Sequence, residues 1–336
     1  MGKKRIAING FGRIGRAALK IMLERGGFEI VAINDLTSTE NLAYLLRYDT
    51  VYGLFDGTVE AEGNNLKVNK KTIPVIAEKE PGKLPWKDLK IDVVLECTGR
   101  FTADGQARLH IQAGAKRVIV SAPTKGGDVE TFLLGVNENS YTKQDVISNA
   151  SCTTNSVAPV AAILNENFGI LKGMMTTVHA YTATQGLVDG PTSSKTDFRR
   201  GRAAAANIVP STTGAAIATT KVIPELVGKF DGIALRVPVI TGSISDFTVL
   251  VKKPTNVEEI NYAFLQASRN KRYKGILEVS NDQLVSSDII GNPASAIVDL
   301  TMTKVVDSDL VKVFAWYDNE WGYANRLIDA IKLVTR

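Results

Sequence analysis

The sequence contains few cysteines and no long apolar run. Only Cys97 and Cys152 occur among the 336 residues, so no disulfide framework is expected. No apolar stretch approaches the roughly 20 residues that span a bilayer, and we expect no membrane partner. The sequence also has no internal repeat and no low-complexity segment. These absences exclude the disulfide-rich, membrane-spanning and repeat classes of protein.

A long block of one charge is also absent. The formal net charge of +5 is spread along the chain, so nucleic-acid binding is not expected as the main role. Residues 1–5 lack the apolar core and the cleavage site of a secretory signal, and we expect a cytoplasmic protein. The composition, 44% hydrophobic and 22% charged, is that of a globular protein, and the length suggests two domains.

A glycine-rich turn lies near the start of the chain. A strand, a helix and a second strand are predicted for residues 5–9, 13–25 and 29–34. The turn between the first strand and the helix reads Gly10-Phe11-Gly12-Arg13-Ile14-Gly15, and Asp35 follows the second strand. This spacing, in this context, indicates dinucleotide binding.

The three glycines and the aspartate of that pattern each have a physical role. Gly10 allows a tight turn, Gly12 allows a pyrophosphate to approach the backbone, and Gly15 allows the helix to pack closely on the sheet. The carboxylate of Asp35 would bind a ribose and repel a 2′-phosphate, which favours NAD over NADP. The alternative is a tight turn with a solvated aspartate.

Further strands predict a parallel sheet covered on both faces. Strands are expected at residues 91–96 and 117–121, with a helix at 103–114 and an antiparallel hairpin within 58–77. Thr98-Gly99 and Ser121-Ala122 follow strand ends, where ligands bind in such sheets. These four residues are candidates for lining the cofactor site. The alternative interpretation is that they are ordinary turn residues.

The pattern changes after residue 152. Longer strands are predicted at 174–181, 232–238 and 243–251, with helices at 213–226 and 257–267 and a long connection, 182–208, that we interpret as functional or as an interface element. The expected fold class is α/β. It combines a Rossmann-type doubly wound parallel sheet domain with an α+β catalytic domain containing a mixed, largely antiparallel sheet.

Cys152 is the candidate nucleophile. It lies in Ala150-Ser151-Cys152-Thr153-Thr154-Asn155, directly before an apolar run that predicts a helix. Unpaired N–H groups and the macrodipole at a helix start stabilise a thiolate. A buried cysteine with no chemistry is the alternative interpretation.

The chain has only two histidines. His179 lies near the end of a predicted strand, where a general base for the Cys152 thiol could be aimed from a rigid element. A histidine that is merely hydrogen-bonded is the alternative. His110 lies beside charged residues in a predicted helix, and we interpret it as part of a solvated helix face.

Several motifs together resemble a known family. They are Asn9-Gly10-Phe11-Gly12-Arg13-Ile14-Gly15-Arg16, Ala150-Ser151-Cys152-Thr153-Thr154-Asn155, His179-Ala180-Tyr181-Thr182, Pro210-Ser211-Thr212-Thr213-Gly214-Ala215-Ala216, Leu235-Arg236-Val237-Pro238 and Trp316-Tyr317-Asp318-Asn319-Glu320. In this order, and over nearly the whole length, the chain resembles phosphorylating glyceraldehyde-3-phosphate dehydrogenases.

The resemblance implies a reaction with NAD and inorganic phosphate. Cys152 would attack the aldehyde of glyceraldehyde 3-phosphate, His179 would take the hydroxyl proton, hydride would pass to the nicotinamide, and phosphate would release the thioester as 1,3-bisphosphoglycerate. The nearest alternative within the fold is an erythrose-4-phosphate dehydrogenase. A catalytically idle nucleotide-binding protein that associates with RNA is a second alternative, but no RNA-reading motif supports it.

The resemblance also implies site residues. For the cofactor they are Gly10, Phe11, Gly12, Arg13, Ile14, Asn34, Asp35, Lys79, Thr98, Gly99, Ser121 and Asn319. For substrate and phosphate they are Ser151, Thr153, Thr182, Arg200, Thr213, Gly214 and Arg236. Arg200 could instead belong to a basic loop face. Lys79 departs from the arginine often found there in the family, and no metal site is predicted.

The resemblance implies a homotetramer and a division into three segments. Residues 1–151 are expected to form the NAD-binding domain and 152–318 the catalytic domain. Residues 319–336 are expected to form a C-terminal helix that packs back on the NAD-binding domain.

Overall fold

The structure is a computed structural model that describes residues 2–192 and 197–336. The chain forms two compact units. The first contains the chain up to Phe132 together with Glu138–Ala150 and Ala324–Arg336, and the second contains Leu133–Asn137 and the described part of Ser151–Tyr323. Residues 193–196 of the long connection predicted at 182–208 lie outside the described residues.

The first unit is built on one twisted sheet. Its strands are β1 Lys4–Asn9, β2 Phe28–Asn34, β5 Val59–Glu62, β6 Asn65–Val68, β7 Lys71–Ile76, β8 Val93–Glu96, β9 Arg117–Val120 and β10 Val146–Ser148, with a separate pair β3 Tyr48–Asp49 and β4 Gly53–Leu54. The order across the described sheet is β10-β9-β8-β1-β2-β7-β6-β5. Parallel pairing runs from β10 to β7, and β5, β6 and β7 pair antiparallel. The Rossmann-type sheet and the inserted hairpin are therefore confirmed.

The order of this sheet places a crevice beside β1. The chain goes from β1 to β2 on one side and returns to β8 on the other, so the strand order reverses at β1. Ligands of open α/β sheets bind at such a point, outside the carboxyl ends of the strands. The helices that this unit takes from the first half of the chain are α1 Arg13–Arg25, α2 Thr39–Arg47 and α3 Leu109–Gln112.

Helix α3 is shorter than predicted, and His110 is not on a solvated face. Gly105 lies in the left-handed region, so only a 3₁₀ turn, Gln106–Arg108, precedes α3. Gly114 ends the segment at φ +100°, where a Cβ would lie 2.5 Å from the side chain of Lys87. His110 is fully buried. The prediction that His110 lies on a solvated face was wrong, because the charge of neighbouring residues does not determine which face of this short helix packs against the sheet.

The second unit is built on a mixed sheet. Its strands are β11 Ile170–Ala180, β12 Val209–Thr212, β13 Phe230–Val237, β14 Ser243–Val251, β15 Leu277–Ser280, β16 Ala296–Asp299, β17 Lys304–Val306 and β18 Leu310–Tyr317. In the described residues the order is β12-β13-β11-β14-β18-β16-β15, with β17 paired to β18. Only β11 with β13 and β15 with β16 are parallel among these pairs. The predicted mixed, largely antiparallel sheet is confirmed.

Several helices after residue 150 differ from prediction at their ends. They are α4 Cys152–Phe168, α5 Ala215–Val222, α6 Val257–Arg269 and α7 Trp321–Val334. Helix α5 stops before Pro224, which cannot donate a backbone hydrogen bond and begins a 3₁₀ turn instead. Helix α7 begins at Trp321 and not at residue 319, because the Asp318 carboxylate accepts the N–H groups of Glu320 and Trp321, at 2.9 and 2.8 Å.

Within residues 2–192 and 197–336, no helix has the length and apolar character needed to cross a membrane.

Candidate active site

Cys152 is the first residue of α4, as the sequence predicts. Ser151 precedes the helix with extended backbone, and its hydroxyl accepts the N–H of Thr154 at 3.1 Å. Ala150 has a φ of +51°, an uncommon value for a residue with a side chain. The tight turn before the helix therefore presents the Cys152 side chain at the helix start, and that side chain is only half-buried.

His179 contacts the sulfur. It is the penultimate residue of β11, and its Nε2 lies 3.5 Å from Cys152 Sγ. Its Nδ1 lies 2.6 Å from the carbonyl oxygen of Ala180, which can only accept a hydrogen bond. With the proton of the neutral ring on Nδ1, this carbonyl is satisfied and the lone pair on Nε2 faces the thiol. This is the geometry of a general base.

Arg236 adds a positive charge beside this pair. The parallel register of β11 and β13 sets Arg236 opposite His179. Its Nη1 lies 2.7 Å from His179 Nδ1 and donates to the carbonyl of Ala180 at 3.1 Å. The carbonyl of Ala180 can accept both from Arg236 Nη1 and from a proton on His179 Nδ1.

Burial and Arg236 control the ionisation of the pair. Burial raises the pKa of the Cys152 thiol, while the charge of Arg236 and the N–H groups at the helix start lower it by less. Burial and Arg236 lower the pKa of His179 to about 3, with a smaller contribution from Arg200. The predicted helix-start effect is present but is outweighed by desolvation. A neutral thiol therefore faces a neutral imidazole.

Tyr317 packs against the Cys152–His179 pair through His179 and Thr153. Sequence analysis did not assign it a role. Its hydroxyl lies 3.0 Å from Thr153 Oγ1 and 2.7 Å from Thr177 Oγ1, and its ring meets His179 edge-on with centroids 5.9 Å apart. Tyr317 ends β18 and is buried. Its place in the Trp316-Tyr317-Asp318-Asn319-Glu320 motif was the available signal, but the packing that gives it a role depends on the sheet.

Arg200 is fixed by β12 and does not form a solvated basic face. Its Nε and Nη2 donate to Ser211 Oγ at 3.0 and 2.7 Å, and Nη2 also donates to the carbonyl of Thr212 at 3.0 Å. Its charge lowers the pKa of both His179 and Arg236 after larger contributions from burial. The structure therefore brings Arg200 into the electrostatic environment of the catalytic pair.

The other predicted anion contacts lie at the ends of elements in the second unit. Thr182 follows β11, and its hydroxyl lies 2.9 Å from Thr184 Oγ1. Thr213 Oγ1 accepts the N–H of Ala215 at 3.2 Å, and the exposed Gly214 precedes α5 without a capping side chain. Thr153 differs from the rest because its hydroxyl is bonded to Tyr317 and lies 3.9 Å from Cys152 Sγ.

The first unit contains a cavity of about 410 Å³ at the carboxyl ends of its central strands. Six of the predicted cofactor residues line it. They are Gly10, Gly12, Asn34, Asp35, Lys79 and Thr98. The cavity is also lined by Asn9, Glu78, Arg100 and Phe101, which sequence analysis did not assign.

The glycines of the turn differ in the space around them. Gly10 has a φ of +91°, and a Cβ there would lie 2.7 Å from the backbone nitrogen of Thr98. A Cβ on Gly15 would lie 2.2 Å from the carbonyl oxygen of Gly10. Gly12 is exposed at the start of α1 with open space around it, which leaves room for a phosphate group at the helix N-terminus.

The carboxylate of Asp35 is held in place by the turn. It accepts the N–H of Phe11 at 2.7 Å and that of Thr37 at 2.9 Å. The Phe11 side chain is buried, and Arg13 binds the carboxylate of Asp49 at 2.9 Å. Six predicted cofactor residues do not line the cavity: Phe11, Arg13, Ile14, Gly99 and Ser121 of the first unit, and Asn319 of the second.

Asn319 lies in the second unit with a fixed amide orientation. Its Oδ1 accepts the N–H of Gly242 at 3.2 Å and the hydroxyls of Thr241 and Ser243 at 3.2 and 2.9 Å. A backbone N–H can only donate, so this oxygen cannot be exchanged with the amide nitrogen. The Asn319 amide group therefore offers a directed donor.

Comparison with known families identifies both parts of the chain. Residues 4–104 match the family described as glyceraldehyde 3-phosphate dehydrogenase, NAD binding domain. Residues 151–319 match glyceraldehyde 3-phosphate dehydrogenase, C-terminal domain.

Similar proteins cover nearly the whole chain. The chain is 51% identical to glyceraldehyde-3-phosphate dehydrogenase 2 of Streptomyces avermitilis, over 97% of this chain and 96% of that protein. It is 52% identical to glyceraldehyde-3-phosphate dehydrogenase of Kitasatospora aureofaciens, over 98% of each chain. It is 50% identical to that of Clostridium pasteurianum, over 98% of this chain and 97% of that protein.

Proposed function

This chain belongs to the glyceraldehyde-3-phosphate dehydrogenase family, and from that premise we propose how its residues perform the reaction. The protein is an NAD-dependent dehydrogenase of glycolysis, with glyceraldehyde 3-phosphate and inorganic phosphate as its substrates. The observation that carries the mechanism is the contact of Cys152 Sγ with the basic nitrogen of His179.

Cys152 is the nucleophile and His179 the general base. The thiol gives its proton to His179 Nε2 as sulfur attacks the aldehyde carbon, and His179 returns that proton to the carbonyl oxygen. The product is a thiohemiacetal with a hydroxyl group. His179 then removes the hydroxyl proton as hydride leaves the same carbon, which leaves a thioester on Cys152. NAD, when bound, supplies the hydride acceptor.

Phosphate completes the reaction at the thioester. An oxygen of inorganic phosphate attacks the acyl carbon, the carbon–sulfur bond breaks, and the product is 1,3-bisphosphoglycerate. The sulfur leaves as a thiolate, which the charge of Arg236 stabilises, and it then recovers its proton from His179 Nε2. Arg236 and Thr182 bind the phosphate of the substrate. Ser151, Thr153, Thr213, Gly214 and Arg200 bind or surround the attacking phosphate through hydroxyl, N–H and guanidinium donors.

The cofactor residues divide by role. Gly12 and the start of α1 receive the pyrophosphate, and Asp35 and Asn34 receive the adenosine ribose. Thr98 and Lys79 line the same cavity. Phe11, Arg13, Ile14, Gly99 and Ser121 act through the backbone or through packing, and Asn319 donates to the nicotinamide carboxamide. The domain assignments 1–151, 152–318 and 319–336 stay predictions.

The alternative activity on erythrose 4-phosphate is not favoured. The similar proteins that cover the chain are named glyceraldehyde-3-phosphate dehydrogenases. A cytoplasmic location is part of the proposal, because a catalytic thiol needs a compartment that keeps cysteine reduced.

A homotetramer is also proposed. Support comes from an apolar surface on the second unit, formed around a hollow of about 680 Å³. Met174, Ile217 and Leu310 line this hollow with 58%, 60% and 41% of their surface exposed. Large apolar side chains that are exposed next to one another are typical of subunit interfaces.

The proposal is tested by the dependence of turnover on phosphate. With glyceraldehyde 3-phosphate and NAD, we expect sustained NADH formation only when phosphate or arsenate is added. With phosphate withheld, mass spectrometry should find a 3-phosphoglyceroyl group on Cys152. Cys152→Ser is the control and should lose roughly 10⁴-fold or more in rate and show no adduct. Sustained turnover without phosphate would contradict the assignment.

A further inference from the structure

A fully buried carboxylate, which has no role in the mechanism described above, is hydrogen-bonded to residues that line the cofactor cavity. Glu96 ends β8 and is 1% exposed. Its Oε1 accepts the N–H and the hydroxyl of Thr98, the N–H at 2.8 Å. Its Oε2 accepts the side-chain amide of Asn9 and lies 3.0 Å from His110 Nε2.

The hydrogen bonds of His110 determine where its proton lies. The indole N–H of Trp86 can only donate, and it lies 2.9 Å from His110 Nδ1. Nδ1 must therefore accept, so Nε2 carries the proton and donates to Glu96. The ring is neutral in this arrangement. Both oxygens of Glu96 therefore accept hydrogen bonds. These bonds compensate for the loss of water around the buried carboxylate.

The same network reaches the lining of the cavity. Asn9, Asn34 and Thr98 end or follow β1, β2 and β8, and all three line it. Asn34 Nδ2 donates to Asn9 Oδ1 at 2.6 Å and to the carbonyl of Glu78 at 2.9 Å. Asn34 Oδ1 accepts the N–H of Glu78, also at 2.9 Å. A single chain of side chains therefore joins Glu96 to the three strand ends and to the segment before Lys79.

The network also sets the glycine-rich turn. The N–H of Thr98 donates to Glu96. The backbone of Thr98 also packs against Gly10, so closely that a Cβ on Gly10 would lie 2.7 Å from the Thr98 nitrogen. Gly10 N–H in turn donates to the carbonyl of Asn34 at 2.8 Å. A shift of Glu96 would therefore move the turn that receives the pyrophosphate.

We propose that Glu96, with its proton donor His110, is a positioning residue for NAD. It holds Asn9, Asn34 and Thr98 in the arrangement that the cofactor binds, and it does not touch the reacting atoms. The inference rests on NAD binding by this unit, and it concerns cofactor affinity and not the chemistry at Cys152.

The test is Glu96→Gln. This substitution keeps the shape of the side chain but replaces one carboxylate oxygen by an NH₂ group, which then faces either the N–H of Thr98 or the donors of Asn9 and His110. By calorimetric titration of the full-length chain without substrate, we expect NAD binding to weaken about tenfold to a hundredfold, the range for loss of a charged hydrogen bond. At saturating NAD, kcat and the KM for glyceraldehyde 3-phosphate should stay within about threefold of the wild type.

The matched control is Asp92→Asn. Asp92 precedes the same strand at its opposite end, where its carboxylate accepts the N–H of Arg5 at 2.9 Å. Both variants are expected to lower the melting temperature, but only Glu96→Gln should weaken NAD binding. A folded Glu96→Gln protein with an NAD dissociation constant within about twofold of the wild type would overturn the proposal. So would a loss of kcat with unchanged NAD affinity.

A second pair of variants tests His110 without changing Glu96. His110→Gln can still donate one N–H to the carboxylate, whereas His110→Leu cannot. We expect His110→Gln to bind NAD more tightly than His110→Leu by about tenfold. Equal affinities would contradict the proposal.

The tautomer can be observed directly, since the chain has only two histidines and His179→Asn identifies the other signal. Ring ¹⁵N chemical shifts should show His110 protonated on Nε2, and protonation on Nδ1 would contradict the proposal. A wild-type chain that bound no NAD would overturn the function itself, which is a distinct result.

Discussion

At the scale of single residues, the chemistry depends on how the half-buried thiol of Cys152 loses its proton. In this site neither Cys152 nor His179 is charged, because burial raises the pKa of the thiol and lowers that of the imidazole. The base is therefore available over a wide range of pH, and the thiolate forms only as the proton moves. This arrangement keeps the sulfur from being fully ionised before substrate arrives.

The first residue-scale prediction concerns His179→Asn. We expect kcat/KM to fall about 10²- to 10⁴-fold, the usual loss of a general base. In the wild type the basic form of His179 exists above its pKa of about 3 and is lost only below it, so no acid limb near pH 6.5 is expected from this residue. Steady-state rates between pH 5 and 9 measure both effects. A wild-type limb near 6.5 that vanishes in His179→Asn would contradict the lowered pKa.

The second residue-scale prediction separates the two cysteines. Burial raises the pKa of Cys97 to about 12, so iodoacetamide at about pH 8 should label Cys152 first. Arg236→Leu removes the charge that lowers the pKa of Cys152, and labelling should slow roughly three- to tenfold, since one pKa unit changes the thiolate fraction tenfold.

Arg236→Lys is the control for that experiment, because it keeps the positive charge. Its labelling rate, followed by mass spectrometry of the Cys152 peptide, should stay close to that of the wild type. If the leucine and lysine variants were labelled at the same rate, the electrostatic role of Arg236 would be refuted.

At the scale of elements, the start of α4 serves both the fold and the site. Ser151 caps the helix that presents Cys152, and it is also a proposed phosphate contact. We expect Ser151→Ala to cost about 1 kcal/mol through the lost cap and also to raise the KM for phosphate. Thermal melting and steady-state kinetics measure the two effects separately.

Ser38→Ala provides the comparison. Ser38 caps α2 in the first unit by accepting the N–H of Asn41, so its loss affects a helix cap without a proposed substrate contact. Only a lower melting temperature is expected there. If both variants raised the KM for phosphate equally, Ser151 would have no role beyond capping.

At the scale of the whole molecule, the exposed apolar surface of the second unit predicts self-association. Native mass spectrometry is expected to find a species with the mass of four chains. Ile217→Glu places a charge in this surface and should yield smaller species, whereas Tyr262→Glu, on helix α6, should not. A monomeric wild-type protein would refute the homotetramer.

Much of the architecture could be read from local patterns. The glycine-rich turn, the extent of α1, the hairpin and the helix start at Cys152 each depend on residues close together in the chain, where spacing and backbone geometry leave few options. Helix ends were less accurate. Pro224 changed them by its missing N–H group, Gly105 by its left-handed backbone and Asp318 by its hydrogen bonds, none of which periodicity reports.

The sequence by itself determined the type of fold, the candidate nucleophile and base, and the family, because these are carried by short motifs in a fixed order. Only the tertiary structure decided which groups meet. It brought Tyr317 beneath His179 and placed Arg236 beside it through strand register, and it buried His110 against Glu96. Burial and charge depend on neighbours far apart in the chain, so the ionisation of the site could not be derived from the sequence alone.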